Sequence, residues 1–157
     1  MQKITPFLWF DNQAEEAANF YVSTFKNSHI DNIARYGENM PLPAGTVLTV
    51  NFTLEGQDFI ALNGGPIYKF TPAISLYVDC KTQEEVDHLW NTLSAVPEAE
   101  QCGWLVDKYG VSWQIVPSAL GTLMGDPNPQ KAGAVAQAMM QMKKLDIKSL
   151  QDAYDKA

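Results

Sequence analysis

Histidine and cysteine are scarce in this chain, with His29, His88, Cys80 and Cys102 the full complement in 157 residues. A transition-metal centre built from imidazole and thiolate needs about three such ligands at one point, so this inventory works against one. The cysteines form no CxxC pair and cannot support a disulfide framework; they read as reduced structural thiols of a cytoplasmic protein. Basic residues are also in short supply. Eleven Lys and Arg face eighteen Asp and Glu, a formal net charge of −7. Lys143-Lys144 is the one late basic pair, so neither nucleic acid nor an anionic membrane surface is an expected partner. No apolar run approaches the ~20 residues of a membrane span. Nothing in Met1-Gln2-Lys3 and the residues after it resembles a signal peptide.

Two kinds of catalytic machinery are missing as well. No His or carboxylate is tied by a recognisable spacing to Ser75, Cys80, Cys102 or Ser112. Asn63-Gly64-Gly65-Pro66 follows an apolar run but leads into Ile67-Tyr68-Lys69-Phe70, whereas a nucleotide-binding turn opens a helix. The acidic pairs Glu15-Glu16 and Glu84-Glu85 fall in helix first turns, where they complement the dipole. No catalytic residue is assigned from these patterns.

What remains is ordinary globular material, 46% apolar and 18% charged. At this length one domain spanning 1–157 is expected, hiding roughly 70% of the unfolded chain's surface. Ile4 to Phe10 reads as a first strand. Asn12 and Glu15 stand in capping-box spacing before the stripe Ala14, Ala17, Ala18, Tyr21 and Phe25. Strands are expected over His29 to Tyr36, Thr46 to Leu54 and Gln57 to Asn63, with a Pro-bearing loop from Gly37 to Gly45. A strand from Ala73 to Cys80 then precedes a second capping box, Thr82 and Glu85, and the stripe Val86, Leu89, Trp90 and Leu93. Gln101 to Pro117 reads as two strands joined at Asp107-Lys108-Tyr109-Gly110.

The order strand, helix, strands thus occurs twice. Placing Glu15-Glu16 on Glu84-Glu85 aligns Ala17 with Val86 and Tyr21 with Trp90, which marks two modules of one architecture. Their bounds are about 3–68 and 71–118, the second being shorter for want of a Pro-rich loop. Beyond them, Asn128-Pro129 and Asp146 are helix entries, giving C-terminal helices over about 128–156. These are expected to dock on their own sheet or on a partner's.

Within this repeat, Ile4-Thr5-Pro6-Phe7-Leu8-Trp9-Phe10, Ala14 to Tyr21, Phe59 to Pro66, Gln83 to Asp87 and Cys102-Gly103-Trp104 through Pro117 resemble the vicinal oxygen chelate superfamily. They are closest to its PhnB-like branch, labelled 3-demethylubiquinone-9 3-methyltransferase. That resemblance implies an α+β fold in which two βαβββ modules form a curved, cup-like mixed sheet with helices outside. It also implies a homodimer, to which the adaptable apolar side chains of Met139, Met140 and Met142 would contribute. Metal-using relatives take ligands near Thr5 to Phe7, Phe59 to Ala61, Pro72 to Ile74 and Gln114. Only Gln114 there offers a plausible oxygen, with Thr5 a poor second, so no metal ligand and no cofactor is assigned.

The aromatic residues Phe7, Trp9, Tyr77, Trp104, Tyr109 and Trp113 lie on or beside the expected cup strands, with Asn51, Asn63, Ser75 and Gln114 as polar groups among them. Trp9, Asn63, Ser75, Tyr77, Trp104 and Gln114 are the expected ligand-binding set for a small, partly apolar organic molecule. A metal-dependent glyoxalase- or dioxygenase-type enzyme and a dimeric scaffold with a filled cup are the competing expectations.

Overall fold

The computed structural model describes residues 2–157. Met1, the first residue of the stretch read for a signal peptide, lies outside them. Contacts divide the chain into two compact units, Met1–Phe70 and Thr71–Ala157. The first corresponds to the first repeat, and the second to the second repeat with the C-terminal helices.

In the first unit β1 (Phe7–Phe10), α1 (Ala14–Thr24), β2 (His29–Arg35), β3 (Val47–Leu54) and β4 (Gln57–Asn63) build a four-stranded sheet in the order β1-β4-β3-β2. β1 runs parallel to β4, and the other pairs are antiparallel. Glu55 and Gly56 close the β3–β4 hairpin with φ of 48° and 83°, the geometry of a two-residue turn whose twist matches its strands. The period-2 pattern of β3 sends Val50, Phe52 and Leu54 to one face, where they are buried with Ala14, Ala17, Ala18 and Tyr21 of α1. Tyr21 and Phe59 both pack on Phe52, with ring centroids 6.3 and 5.4 Å away.

The expected Asn12 cap of α1 is not formed. The helix begins at Ala14, and its N-cap residue Gln13 makes no side-chain bond. The Asn63 side chain at the end of β4 takes over, accepting from the Ala14 amide at 2.8 Å and donating to the Val47 carbonyl at 3.1 Å. A tertiary partner thus replaced the local one, because β4 ends directly beside the first helical turn.

The second unit repeats the plan with one strand fewer. β5 (Leu76–Cys80), α2 (Gln83–Leu93), β6 (Trp104–Val106) and β7 (Ser112–Pro117) give the sheet order β5-β7-β6, with β5 parallel to β7. Where the first unit has β2, the chain forms one 3-10 turn, Pro97–Ala99, and the isolated bridge Gln101 to Trp104. The second module is therefore shorter by a strand as well as by a loop. Its cap does form: the Thr82 hydroxyl accepts from the Glu85 amide at 3.2 Å, while the Glu85 carboxylate reaches one residue past the cap to accept from the Lys81 amide at 2.8 Å.

Three helices follow. α3 (Ser118–Met124) continues straight from β7 and had no entry signal in the sequence, since Pro117 serves as its cap residue without a side-chain bond. α4 (Pro129–Met140) and α5 (Ile147–Lys156) start at the expected caps, Asn128 and Asp146. Val116, Leu120, Leu123, Val135, Leu145 and Leu150 form one buried cluster, against which Met139 and Met142 also pack. The amides of Cys102 and Gly103 donate to the carbonyls of Met142 and Lys143, each at 2.8 Å. The helices thus dock on their own unit's sheet. Of the three methionines assigned to a docking surface, Met140 is the one that is 56% exposed.

Asn63→Ala should lower stability by about 1–3 kcal/mol, because it leaves the Ala14 amide without its acceptor and the Val47 carbonyl without its donor. Urea unfolding checks this, and Asn63→Asp, which keeps the acceptor, should fall between.

Acid should loosen the second unit. Hydrogen bonds from Gln83 and Lys144 hold the Asp87 carboxyl below the usual carboxylate range, and those from Lys81 and Ser118 do the same for Asp79. The unfolded chain then binds more protons than the folded one in acid. Their contribution is complete at neutral pH and disappears as pH falls through the carboxylate range to the lowered folded values. Unfolding midpoints of wild type and Asp87→Asn should therefore converge on acidification.

Candidate functional site

The site is built on β7, the central strand of the second sheet, and its register is set by a buried carboxylate. Asp107, 1% exposed, opens the β6–β7 turn. Its Oδ1 accepts from the amides of Tyr109 and Val111 at 2.8 and 3.0 Å, and its Oδ2 accepts from the Trp113 indole N–H at 2.8 Å. Aspartate favours such turns because its short side chain reaches amides two or more residues on. Gly110 completes the turn with φ 91°.

With Trp113 fixed on one face, beside Leu76 and Leu105, alternation puts Gln114 on the other. There Gln114 pairs with Tyr77 of β5 and with Trp104 of β6. An aromatic, an amide and an aromatic thus stand in one cross-strand row. Gln114 Nε2 donates to Ser75 Oγ at 3.0 Å, which draws in a residue just before β5. Four of the six residues expected to bind ligand are therefore neighbours. Tyr77 is 60% exposed, and Trp104 and Gln114 are half-buried.

The other two have structural duties in the first unit. Trp9 is held by its indole N–H, which donates to the Gly65 carbonyl at 2.9 Å, and its ring meets Tyr68 edge-on. It lies so close to Gly64 that a Cβ there would stand 2.3 Å from a ring carbon. Asn63 points to the α1 face with both ends of its amide engaged. Among the other aromatics, Trp113 belongs to the buried face and Phe7 is 55% exposed.

Among the described residues, the first unit carries depressions of its own. One of about 580 Å³ is lined by Asp11, Glu15, Tyr36, Leu42, Asn63 and Gly65 among others. The second, about 270 Å³, includes Thr5, Asp31, Asn51 and Asp58. Beside it the Thr53 hydroxyl stands 2.7 Å from Asp31 and 2.9 Å from Asp58, and His29 Nε2 lies 2.8 Å from Asp31. A hydroxyl has one proton and donates to one carboxylate at a time. Asp31 and Asp58 carried no signal in the sequence, because the register that joins them involves a bulge in β2.

Neither group implied by the resemblance is matched by the side chains present. Among the described residues, no three His, Cys, Asp or Glu gather where a metal ion would be held. The superfamily's ligand windows supply the Gln114 amide and the Thr5 hydroxyl, a weak set for a catalytic divalent ion. For S-adenosylmethionine, the Gly64-Gly65 turn leads to coil and then β5, and the Trp9 ring occupies the approach to its backbone. No helix of the described residues is long and apolar enough to cross a membrane.

Two sheets, each with a parallel outer pair and a helix on one face, define an α+β protein of repeated strand–helix–strand modules. The 3-demethylubiquinone-9 3-methyltransferase family model matches residues 2–116, and the chain belongs to that family. The vicinal oxygen chelate fold agrees with this assignment. Among solved structures, the PhnB protein from Bacillus cereus is 46% identical, with a TM-score of 0.64 over 74% of this chain and 100% of that one. Protein PA1353 from Pseudomonas aeruginosa shares the fold at 18% identity and TM-score 0.57, covering 74% of this chain and 98% of that one. A Staphylococcus aureus protein is 37% identical over 73% of this chain and 94% of its own, with a TM-score of 0.34. Comparison with curated proteins gives no match. The family region stops at residue 116, just before α3, so the three C-terminal helices lie beyond it.

The thiols should differ in reactivity. Cys80 is fully buried, and burial pushes its pKa up to about 12, whereas Cys102 is half-buried at the β6 entry. A disulfide reagent at pH 8 should label one thiol per native chain, at Cys102, and a second after denaturation. Peptide mapping identifies which.

Proposed function

We propose that this protein binds a small, partly apolar organic molecule on the sheet face that carries Ser75, Tyr77, Trp104 and Gln114, and does so without a metal ion. The observation that carries this reading is the composition of that row. Two aromatic side chains flank an amide at a place where a sheet covered by its own helices would offer aliphatic residues. Ligand sites combine such apolar walls with a few placed polar groups. The metal-free part rests on the donor chemistry at the superfamily's ligand positions, where no carboxylate or imidazole stands. A methyl transfer from S-adenosylmethionine has no support in the Gly64-Gly65 turn, and the reading assigns binding without assigning a reaction.

We further propose that the protein is a cytoplasmic homodimer. One edge strand of each sheet, β1 or β5, exposes a large aromatic residue, Phe7 or Tyr77. Open edges of this kind are normally covered. Of the three C-terminal methionines, Met139 and Met142 pack inside their own unit and leave such a contact to these edges.

Native mass spectrometry of the purified protein tests both readings. The expected species has the mass of two chains, contains no stoichiometric metal and binds organic ligand that is lost from Trp104→Ala. A mass of one chain would refute the dimer. A metal ion retained at one per chain through chelator treatment would refute the metal-free site.

A further inference from the structure

The polar groups on the Tyr77–Gln114–Trp104 row specify what kind of molecule fits it, and we infer that the site selects a flat, uncharged carboxamide whose N–H and C=O lie on the same side, as in a cyclic amide. This inference rests on the binding site proposed above and assigns its ligand class.

Gln114 Nε2 donates to Ser75 Oγ, so the Ser75 oxygen acts as acceptor and its own proton is available to donate. Among the described residues Gln114 Oε1, the Tyr77 hydroxyl and the Trp104 indole N–H make no hydrogen bond, whereas the indoles of Trp9 and Trp113 are both engaged. The row therefore presents a free acceptor, Gln114 Oε1, beside a free donor, Ser75 O–H. An incoming molecule that satisfies both must carry a donor and an acceptor on one edge. An open-chain secondary amide cannot do so, because its trans geometry points N–H and C=O in opposite directions and the cis form is strongly disfavoured. A ring amide is fixed in the cis arrangement and meets the requirement with no conformational cost.

Flatness follows from the flanking strands. Neighbouring strands lie about 4.8 Å apart, so Tyr77 and Trp104, on either side of β7, are separated by about 9.6 Å at the backbone. A planar ring lying over Gln114 would meet aromatic rings on both neighbouring strands at centroid distances of about 4.5–7 Å, the range in which aromatic pairs attract. Charge selects against the remaining donor–acceptor edge, that of a carboxylic acid. At neutral pH an acid is ionised, and the cation beside this face, Lys81, is already paired with a carboxylate. Asp79, two residues beyond Tyr77 on the same face, is paired with Lys81 at 2.9 Å and would repel a second carboxylate.

The test uses three small probes of similar size: 2-pyridone, N-methyl-2-pyridone and benzoate. Side-chain NMR resonances of the Trp104 indole and the Gln114 amide report binding to the full chain. Saturable shifts with 2-pyridone are expected, with affinity about tenfold weaker for the N-methyl compound, which lacks the donor, and no saturable shift for benzoate. Gln114→Leu should bring 2-pyridone down to the level of its N-methyl derivative while leaving the remaining amide spectrum in place. If that variant fails to fold, the comparison of probes on wild type decides alone. Equal affinity for 2-pyridone and its N-methyl derivative at these residues would overturn the amide class and leave the binding face standing. Shifts at neither residue with any probe would overturn both.

Discussion

The carboxyl of Asp107 fixes the turn from which the site strand of the second unit starts. By taking the Tyr109 and Val111 amides and the Trp113 indole together, it sets the turn and the register of β7. A strand's side chains alternate with a period of two, so a slip of one residue would bury Gln114 and expose Trp113. The identity of the face that carries Tyr77, Gln114 and Trp104 therefore hangs on a buried turn residue that touches none of them. Three hydrogen bonds converging on one buried side chain leave the turn little freedom to change register, which suits this role.

Asn63 holds a comparable position in the first unit. It is one residue from the Gly64 backbone on which the Trp9 ring rests, and its amide joins β4 to α1 and β3. The glycine-rich turn beside it is shaped by protein contacts. Its close backbone approach is to an indole ring, which accounts for a glycine at 64 without recourse to a phosphate. The two halves of the molecule thus use amide side chains on their fourth and seventh strands for different ends. One half spends its amide on architecture and the other leaves an amide oxygen open on a sheet face.

The C-terminal helices add a third element. The family region ends at residue 116, yet Val116 belongs to the cluster formed by α3, α4 and α5. Packing of Leu145 against Gly103, where a Cβ would lie 3.0 Å from a Leu145 methyl carbon, ties the same helices to the start of β6. They brace β6 and β7 from beyond the repeat, and the Tyr154 hydroxyl, donating to Asp126 at 2.6 Å, closes the arrangement on itself.

Much of this was legible in the sequence because its determinants are local. Alternation in Thr46 to Leu54, the Glu55-Gly56 turn, the Thr82–Glu85 box and the caps at Asn128 and Asp146 each act within a few residues, and each element appears where its pattern lies. Spacing also placed Gln114 opposite Trp113. Four outcomes depended on partners distant in the chain. Asn63 replaced Asn12 as the cap of α1, from 49 residues away. Trp9 turned to Gly65, the Asp31–Thr53–Asp58 contact formed across a bulge, and Met139 and Met142 went inward. A sequence shows which side chains can bond; the fold decides which ones meet, and with it which polar groups are used up in holding the structure and which remain to meet a ligand.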